Sequence, residues 1–203
     1  MKNLKVMVMT LIVCSVMTIV TFGQEKYTSY DNVYSGSKYD VQISVKDSTK
    51  YTLYVDMMSL DKLSKSGGVM IDEKAHEKFT TTLLEAQVKY EEWVKIANDN
   101  NVTEFNKTMS LKTKVGGYFL YGSKWNFQFV VNLTFDFKII DGKNLLIVRT
   151  GKMTSSSNQF MTHDGFVFVF SSTEEITEFL DVLSKDKITE FITKPKAVDL
   201  FKD

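Results

Sequence analysis

Trp125-Asn126-Phe127-Gln128-Phe129-Val130-Val131-Asn132-Leu133-Thr134-Phe135-Asp136-Phe137-Lys138-Ile139 is the stretch that decides the fold. Trp125, Phe127, Phe129, Val131, Leu133, Phe135, Phe137 and Ile139 fall on every second position, and Asn126, Gln128, Asn132, Thr134, Asp136 and Lys138 lie between them. Successive side chains of a strand point to opposite faces, so this pattern puts one face in a core and the other in water. A strand that is dry on one side and wet on the other belongs to an antiparallel sheet. Fully extended it would run roughly 50 Å, longer than most strands, so a bend or bulge is expected within it. On this reading Phe129 and Phe135 are both core residues, while Gln128 and Thr134 face solvent.

Working outward, Asp141-Gly142 is a hairpin turn signal, and Leu145 to Val148 is the returning strand. It is apolar on both faces and so expected to be central or covered. Upstream, Thr108 to Val115 and Tyr118 to Tyr121 are predicted as strands on either side of Gly116-Gly117. Val41, Ile43 and Val45, then Tyr51, Leu53 and Val55, alternate around Asp47-Ser48-Thr49-Lys50 and predict a hairpin with a four-residue loop. Ser64 to Gly68 is a further turn, followed by a short strand at Val69-Met70-Ile71.

Between these strands the period changes. Phe79, Leu83, Ala86, Tyr90, Trp93, Val94 and Ala97 recur at steps of three and four, the stripe of an amphipathic helix. Asp72 is placed to cap its first turn, and Asn98-Asp99-Asn100-Asn101 ends it. A helix over 72–98 would be about 40 Å long. Near the C-terminus Phe166 to Phe170 reads as a buried strand. Ser172 with Glu175 forms a capping box for a short helix carrying Ile176, Phe179, Leu180 and Leu183. Asp186 is expected to cap another, carrying Ile188, Phe191 and Ile192, which Pro195 stops. The resulting fold class is α+β: a curved antiparallel sheet with one long helix and short C-terminal helices packed on it.

Residues 1–23 have a different character. Lys2 and Lys5 precede an apolar run from Val6 to Val20, and Thr21-Phe22-Gly23 offers small residues around a cut before Gln24. That order is the plan of a secretory signal peptide. The expected organisation is therefore a signal peptide over 1–23, a flexible entry segment over 24–38, and one α+β domain over 39–203. The leader resembles those of exported Bacteroidota proteins, where glutamine often follows the cut. This resemblance implies export into the periplasm or the medium of a Gram-negative bacterium. Cys14, the single cysteine, lies inside the leader, so the remainder has no thiol chemistry and no disulfide. Every later apolar run is interrupted by charge, so no transmembrane segment is expected once the leader is removed.

Composition narrows the function classes. The 203 residues carry 25 basic and 25 acidic side chains, and Arg149 is the only arginine. A near-neutral chain without guanidinium forks argues against nucleic acid as a partner. His76-Glu77 begins a zinc-peptidase helix motif, but Thr80 stands where the second histidine is required. His76 is then expected to be an ordinary exposed helical histidine, and no metal or cofactor is expected. No phosphate loop, dinucleotide fingerprint, nucleophile elbow or calcium loop is present.

The candidate site is the long polar connection after Arg149, running to Gly165. It concentrates the arginine, Ser155-Ser156-Ser157, Asn158, His163 and Asp164. Arg149, Ser156, Asn158, His163 and Asp164 are the candidate binding residues, with Arg149 orienting a carboxylate and the others supplying hydrogen bonds. The bland alternative is a solvated loop, with Arg149 paired to a carboxylate such as Asp136. Three functions are compatible with these residues. The first is a non-enzymatic envelope module that binds a protein or glycan. The second is a carrier of an apolar ligand such as lipid, held between sheet and helix. The third is a serine-type hydrolase that draws on the 149–165 segment. Tyr27, Tyr30, Tyr34 and Tyr39 could line a glycan or peptide site, or pack on the sheet edge.

Overall fold

A computed structural model describes residues 23–195. The segment 1–23, expected to be a signal peptide, lies outside the described residues apart from Gly23. The chain runs β1 (Glu25–Asn32), β2 (Ser37–Val45), β3 (Tyr51–Asp56), β4 (Met58–Ser59), β5 (Gly67–Asp72), α1 (Glu73–Asp99), β6 (Phe105–Tyr121), β7 (Lys124–Ile140), β8 (Lys143–Thr150), β9 (Met153–Thr154), β10 (Thr162–His163), β11 (Phe166–Phe170), α2 (Thr173–Val182) and α3 (Lys185–Thr193). Nine strands form one antiparallel sheet in the order β1-β2-β3-β5-β6-β7-β8-β11-β4, and β9 and β10 form a separate two-stranded ribbon. β8 is central, between β7 and β11, as its apolar faces require.

The long helix forms as its stripe predicts. Asp72 accepts a hydrogen bond from the Ala75 amide at 2.8 Å, satisfying a donor the first turn leaves free. Phe79, Leu83, Ala86 and Tyr90 are buried against the sheet, and Trp93 and Val94 are half-buried. At α2 the Ser172 hydroxyl accepts from the Glu175 amide at 3.2 Å, while the Glu175 carboxylate accepts from the Ser171 hydroxyl at 2.6 Å. The third helix differs from expectation. Ser184, not Asp186, holds the capping position and makes no side-chain cap bond, and Asp186 sits inside the first turn.

β7 carries the core, but only through its second half. Val131, Leu133, Phe135, Phe137 and Ile139 are all sealed. Val115 pairs with Val131 and Gly117 with Gln128, two residues along β6 but three along β7. The extra residue is the expected bulge, and it reverses the facing of everything before it. Asn126 is therefore buried, whereas Trp125 is 50% exposed and Phe129 75% exposed. The expectation that all eight apolar positions share the core face is corrected to the five after the bulge. β6 is likewise one strand, not two. Gly116 and Gly117 make no turn; a Cβ on them would come 2.7 Å from the Met70 methyl and 2.6 Å from the Met153 methyl. Their lack of a side chain lets two methionines close over the strand.

Residues 24–38, read as a flexible entry segment, supply β1, the turn and the start of β2. Burial of tyrosines outweighs the polar composition here. Tyr30 is 6% exposed, lies edge-on to Phe179 at 4.8 Å, and donates to the Asp56 carbonyl at 2.8 Å. Tyr27 packs edge-on against Phe191 and donates to the Val182 carbonyl, and Tyr39 stacks on Tyr30. These rings therefore dock the strand and the C-terminal helices, and Tyr27 also borders a recess beside Phe191 and Lys194. Tyr34, at the β1–β2 turn, is exposed.

Candidate functional site

The connection from Arg149 to Gly165 folds back as the β9–β10 ribbon and lies along the first half of β7. The Thr154 amide donates to Gln128 Oε1 at 2.7 Å, and the Ser156 amide donates to the Phe127 carbonyl at 2.7 Å. Because β9 runs from Gln128 toward Phe127, the ribbon's tip points toward the β6–β7 turn at Tyr121–Lys124. The loop between β4 and β5 reaches the same end. The Leu120 amide donates to the Ser66 carbonyl at 3.0 Å, and the Ser64 hydroxyl donates to the Leu120 carbonyl. Leu63, Ser64, Tyr121, Gly122 and Thr162 line one recess between these turns.

His163 locks the ribbon to that loop. It is 1% exposed, stacks on Phe166 at 4.1 Å with the rings 12° apart, and lies 5.4 Å from Phe119. Its Nδ1 accepts from the Gly165 amide at 3.0 Å. Its Nε2 lies 3.1 Å from the Ser64 carbonyl and 3.3 Å from Ser59 Oγ. An amide donating to one nitrogen and a carbonyl facing the other assign the neutral tautomer with hydrogen on Nε2. Burial pushes the imidazole pKa down, which keeps it neutral. Ser59 Oγ already donates to the Ser64 carbonyl at 2.6 Å and accepts from the Asp61 amide at 3.0 Å. A histidine base needs a free lone pair toward the serine, and a carboxylate on its other nitrogen. Here Nε2 carries the hydrogen, and Nδ1 meets a backbone amide. The group is built for holding.

The remaining candidate residues are placed as follows. Arg149 Nε donates to Asp136 Oδ2 at 2.7 Å, so the guanidinium meets a carboxylate of its own chain, as the bland reading expected. Ser156 is exposed and is held through its backbone. Asn158 Oδ1 accepts from the Phe160 amide at 3.0 Å, and its carbonyl accepts from Met161 at 3.0 Å, closing the tip. The Asp164 amide donates to Asp61 Oδ2 at 3.3 Å. Ser156, Asn158, His163 and Asp164 thus belong to one ribbon, while Arg149 is engaged at the sheet. The solvated-loop reading is corrected for Ser155 and His163, which are 4% and 1% exposed.

Reasoning from sequence missed the other half of this assembly. Ser59, Asp61 and Ser64 come from a loop a hundred residues away. Asp61 Oδ1 accepts from Leu63 at 2.8 Å and from Ser64 at 3.1 Å, and these amide bonds hold its carboxyl below the usual range. Large apolar residues interrupting polar runs, Leu63 after Lys62 and Phe160-Met161 after Gln159, were the available signal. Leu63 and Phe160 are 96% and 85% exposed.

His76 also departs from expectation. It is 2% exposed, and Nε2 donates to the Leu183 carbonyl at 2.6 Å. It is a packing residue that joins α1 to the end of α2. On the opposite face of the sheet from the core, Tyr118 donates to Asp56 Oδ1 at 2.7 Å beside Tyr54 and Trp125. Burial raises the pKa of both Asp56 and Tyr118.

No family model, curated protein or solved structure matches this chain. Among the described residues no group of three or more His, Cys, Asp or Glu is placed to hold a metal ion. No helix among them is long and apolar enough to cross a membrane.

Proposed function

We propose that this chain is an exported, non-enzymatic interaction module that makes contact through the end of the sheet where the 59–66 loop, the β6–β7 turn and the β9–β10 tip meet. One observation carries the reading: Leu63 and Phe160 stand almost fully exposed on tips whose own amides are already bonded to Asp61 and Asn158. Loops that hold large apolar side chains out on a closed backbone are surfaces for contact. The locked tautomer of His163 favours this reading over the serine hydrolase. Export rests on the charged, apolar, small-residue order of residues 1–23.

The sheet's curl about α1 is supported by two features. β4 begins two residues after β3 ends yet pairs with β11 at the far end of the strand order, and Asn32 Nδ2 donates to the Val169 carbonyl at 2.9 Å. Phe79, Phe135 and Phe137 fill the space between sheet and helix. The apolar groove beside Trp93, Ala97 and Phe105 measures about 210 Å³, smaller than the roughly 300–1,000 Å³ of ordinary ligand pockets. The filled space between sheet and helix favours a contact surface over an internal carrier.

A photoreactive residue placed at Phe160 in the native host should give a defined adduct, whether to protein, glycan or lipid, and one at Thr81, exposed on α1, should not. Equal labelling at the two positions, or none at Phe160, overturns the reading.

A further inference from the structure

We infer that the partner of this end is a lipid surface bearing anionic headgroups, into which the three turns insert their apolar tips; the inference rests on the reading of that end as the contact surface. Leu63, Tyr121 and Phe160 project from three separate turns at one end of the sheet, at 96%, 51% and 85% exposure, with Leu60 and Trp125 half-exposed behind them. A folded partner would need three matching recesses. A bilayer interface deforms around each tip and needs none.

The backbone is prepared for such a medium. An amide entering the interface loses water, and unless it is bonded already the transfer is costly. The amides at the two most exposed tips are bonded within their own loops. Leu63 donates to Asp61 Oδ1 and Phe160 to Asn158 Oδ1. The neighbouring amides of Ser64 and Met161 are bonded too, to Asp61 Oδ1 and the Asn158 carbonyl. These aspartate and asparagine turns spare the Leu63, Ser64, Phe160 and Met161 amides the cost of leaving water unbonded. Tyr121 and Trp125 suit the headgroup level, where a ring with one polar edge is at home.

Charge points the same way, modestly. Lys62, Lys65 and Lys124 flank the tips, and none forms an ion pair among the described residues. Lys65 Nζ caps the Asp61 carbonyl at 2.6 Å. Lysine stems can lie along apolar surface while the ammonium reaches phosphate. Asp61 and Asp164 offset two of the three positive charges, so the apolar tips dominate and salt weakens binding only partly.

The test is partitioning onto vesicles of phosphatidylethanolamine, with and without a minority of phosphatidylglycerol. It compares variants of the exported protein that share one N-terminus. Leu63→Ser with Phe160→Ser should lower partitioning about tenfold or more. Lys62→Gln with Lys124→Gln should lower it several-fold, and only when phosphatidylglycerol is present. A Phe160→Trp variant should shift its emission to shorter wavelength on vesicles and be quenched by bromine-labelled acyl chains. All substitutions are at exposed tips, and unchanged melting confirms that the fold is intact. Absence of vesicle binding, or binding indifferent to the tip variants, overturns the inference. If the photoreactive residue at Phe160 still captures a defined protein in the host, the lipid inference fails and the interaction-module reading stands.

Discussion

Phe135 and Phe129 lie six residues apart on β7, yet Phe135 is sealed against the helix-facing core and Phe129 stands 75% exposed. The extra residue between Gln128 and Val131 separates them. Phe135→Ala removes a fully buried ring and should cost about 3–5 kcal/mol. Phe129→Ala should change stability by no more than about 0.5 kcal/mol. Urea denaturation of the two variants measures the contrast directly, and equal losses would place the bulge elsewhere.

Arg149 and Asp136 pair on adjacent strands, and Thr108 donates to the other carboxylate oxygen at 2.5 Å. The Asp136 side chain is 9% exposed and that of Arg149 47%. Removing the cation leaves a nearly buried carboxylate with one hydroxyl partner. Arg149→Ala should cost about 1–2 kcal/mol, less than a fully buried pair, because water reaches the guanidinium. Replacing both residues with valine should recover most of the loss, since no unpaired charge then remains. A double variant as unstable as Arg149→Ala would contradict this account.

The architecture was legible wherever one period ran unbroken. The 79–97 stripe, the 41–55 hairpin and the Phe166–Phe170 strand all formed as expected: the first two bury a single face, and the third is apolar throughout and sealed on both. The bulge was legible only as a length argument. Its position depends on how β6 pairs across it, and the one local mark, an apolar Val130 on the otherwise polar face, does not by itself say where the extra residue sits. The tyrosines of β1 were ambiguous because their partners, Phe179 and Phe191, lie some 150 residues downstream. The candidate segment was half legible. Ser156, Asn158, His163 and Asp164 do share one ribbon, but the loop that completes the end, with Ser59, Asp61 and Ser64, comes together only through tertiary contact.

His76 gives a pH dependence with a definite sign. Its Nε2 is bonded to Leu183 and its Nδ1 is buried without a partner; burial lowers its pKa, and the bond to the Leu183 carbonyl offsets this only in part, with Lys185 lowering and Glu77 raising it by less. His163 is lowered as well. With folded-state values below the ordinary histidine value of about 6.5, the unfolded chain binds more protons as the pH falls through that region. Stability should therefore be full above about pH 6.5 and drain as the pH drops toward the lower folded-state values. Asp56, raised by burial, acts in the opposite sense further down, in the carboxylate range. Melting temperature measured between about pH 7.5 and 5.5 should fall, and His76→Gln should flatten the slope without abolishing it. A melting temperature that rises over this interval would contradict the assignment.

Ser59 and His163 supply the sharpest chemical test, because at 3.3 Å they are the pair a serine hydrolase would need. A reactive serine gives its proton to an imidazole lone pair as its oxygen attacks. The imidazole then needs an acceptor on its far side for the charge it gains. His163 presents the hydrogen instead of the lone pair toward Ser59, and its far nitrogen faces the Gly165 amide, which would repel an imidazolium. Protonation would also place a cation against Phe166 and Phe119, away from water. Ser59 should therefore remain unlabelled by a fluorophosphonate reagent, even on long exposure, as read by intact mass. Ser59→Ala should leave any host phenotype of this protein intact while lowering stability by about 1–2 kcal/mol, through the amide of Asp61, which loses its partner, and the carbonyl of Ser64, which keeps only His163. A stoichiometric adduct on Ser59 that disappears in His163→Gln would restore the hydrolase.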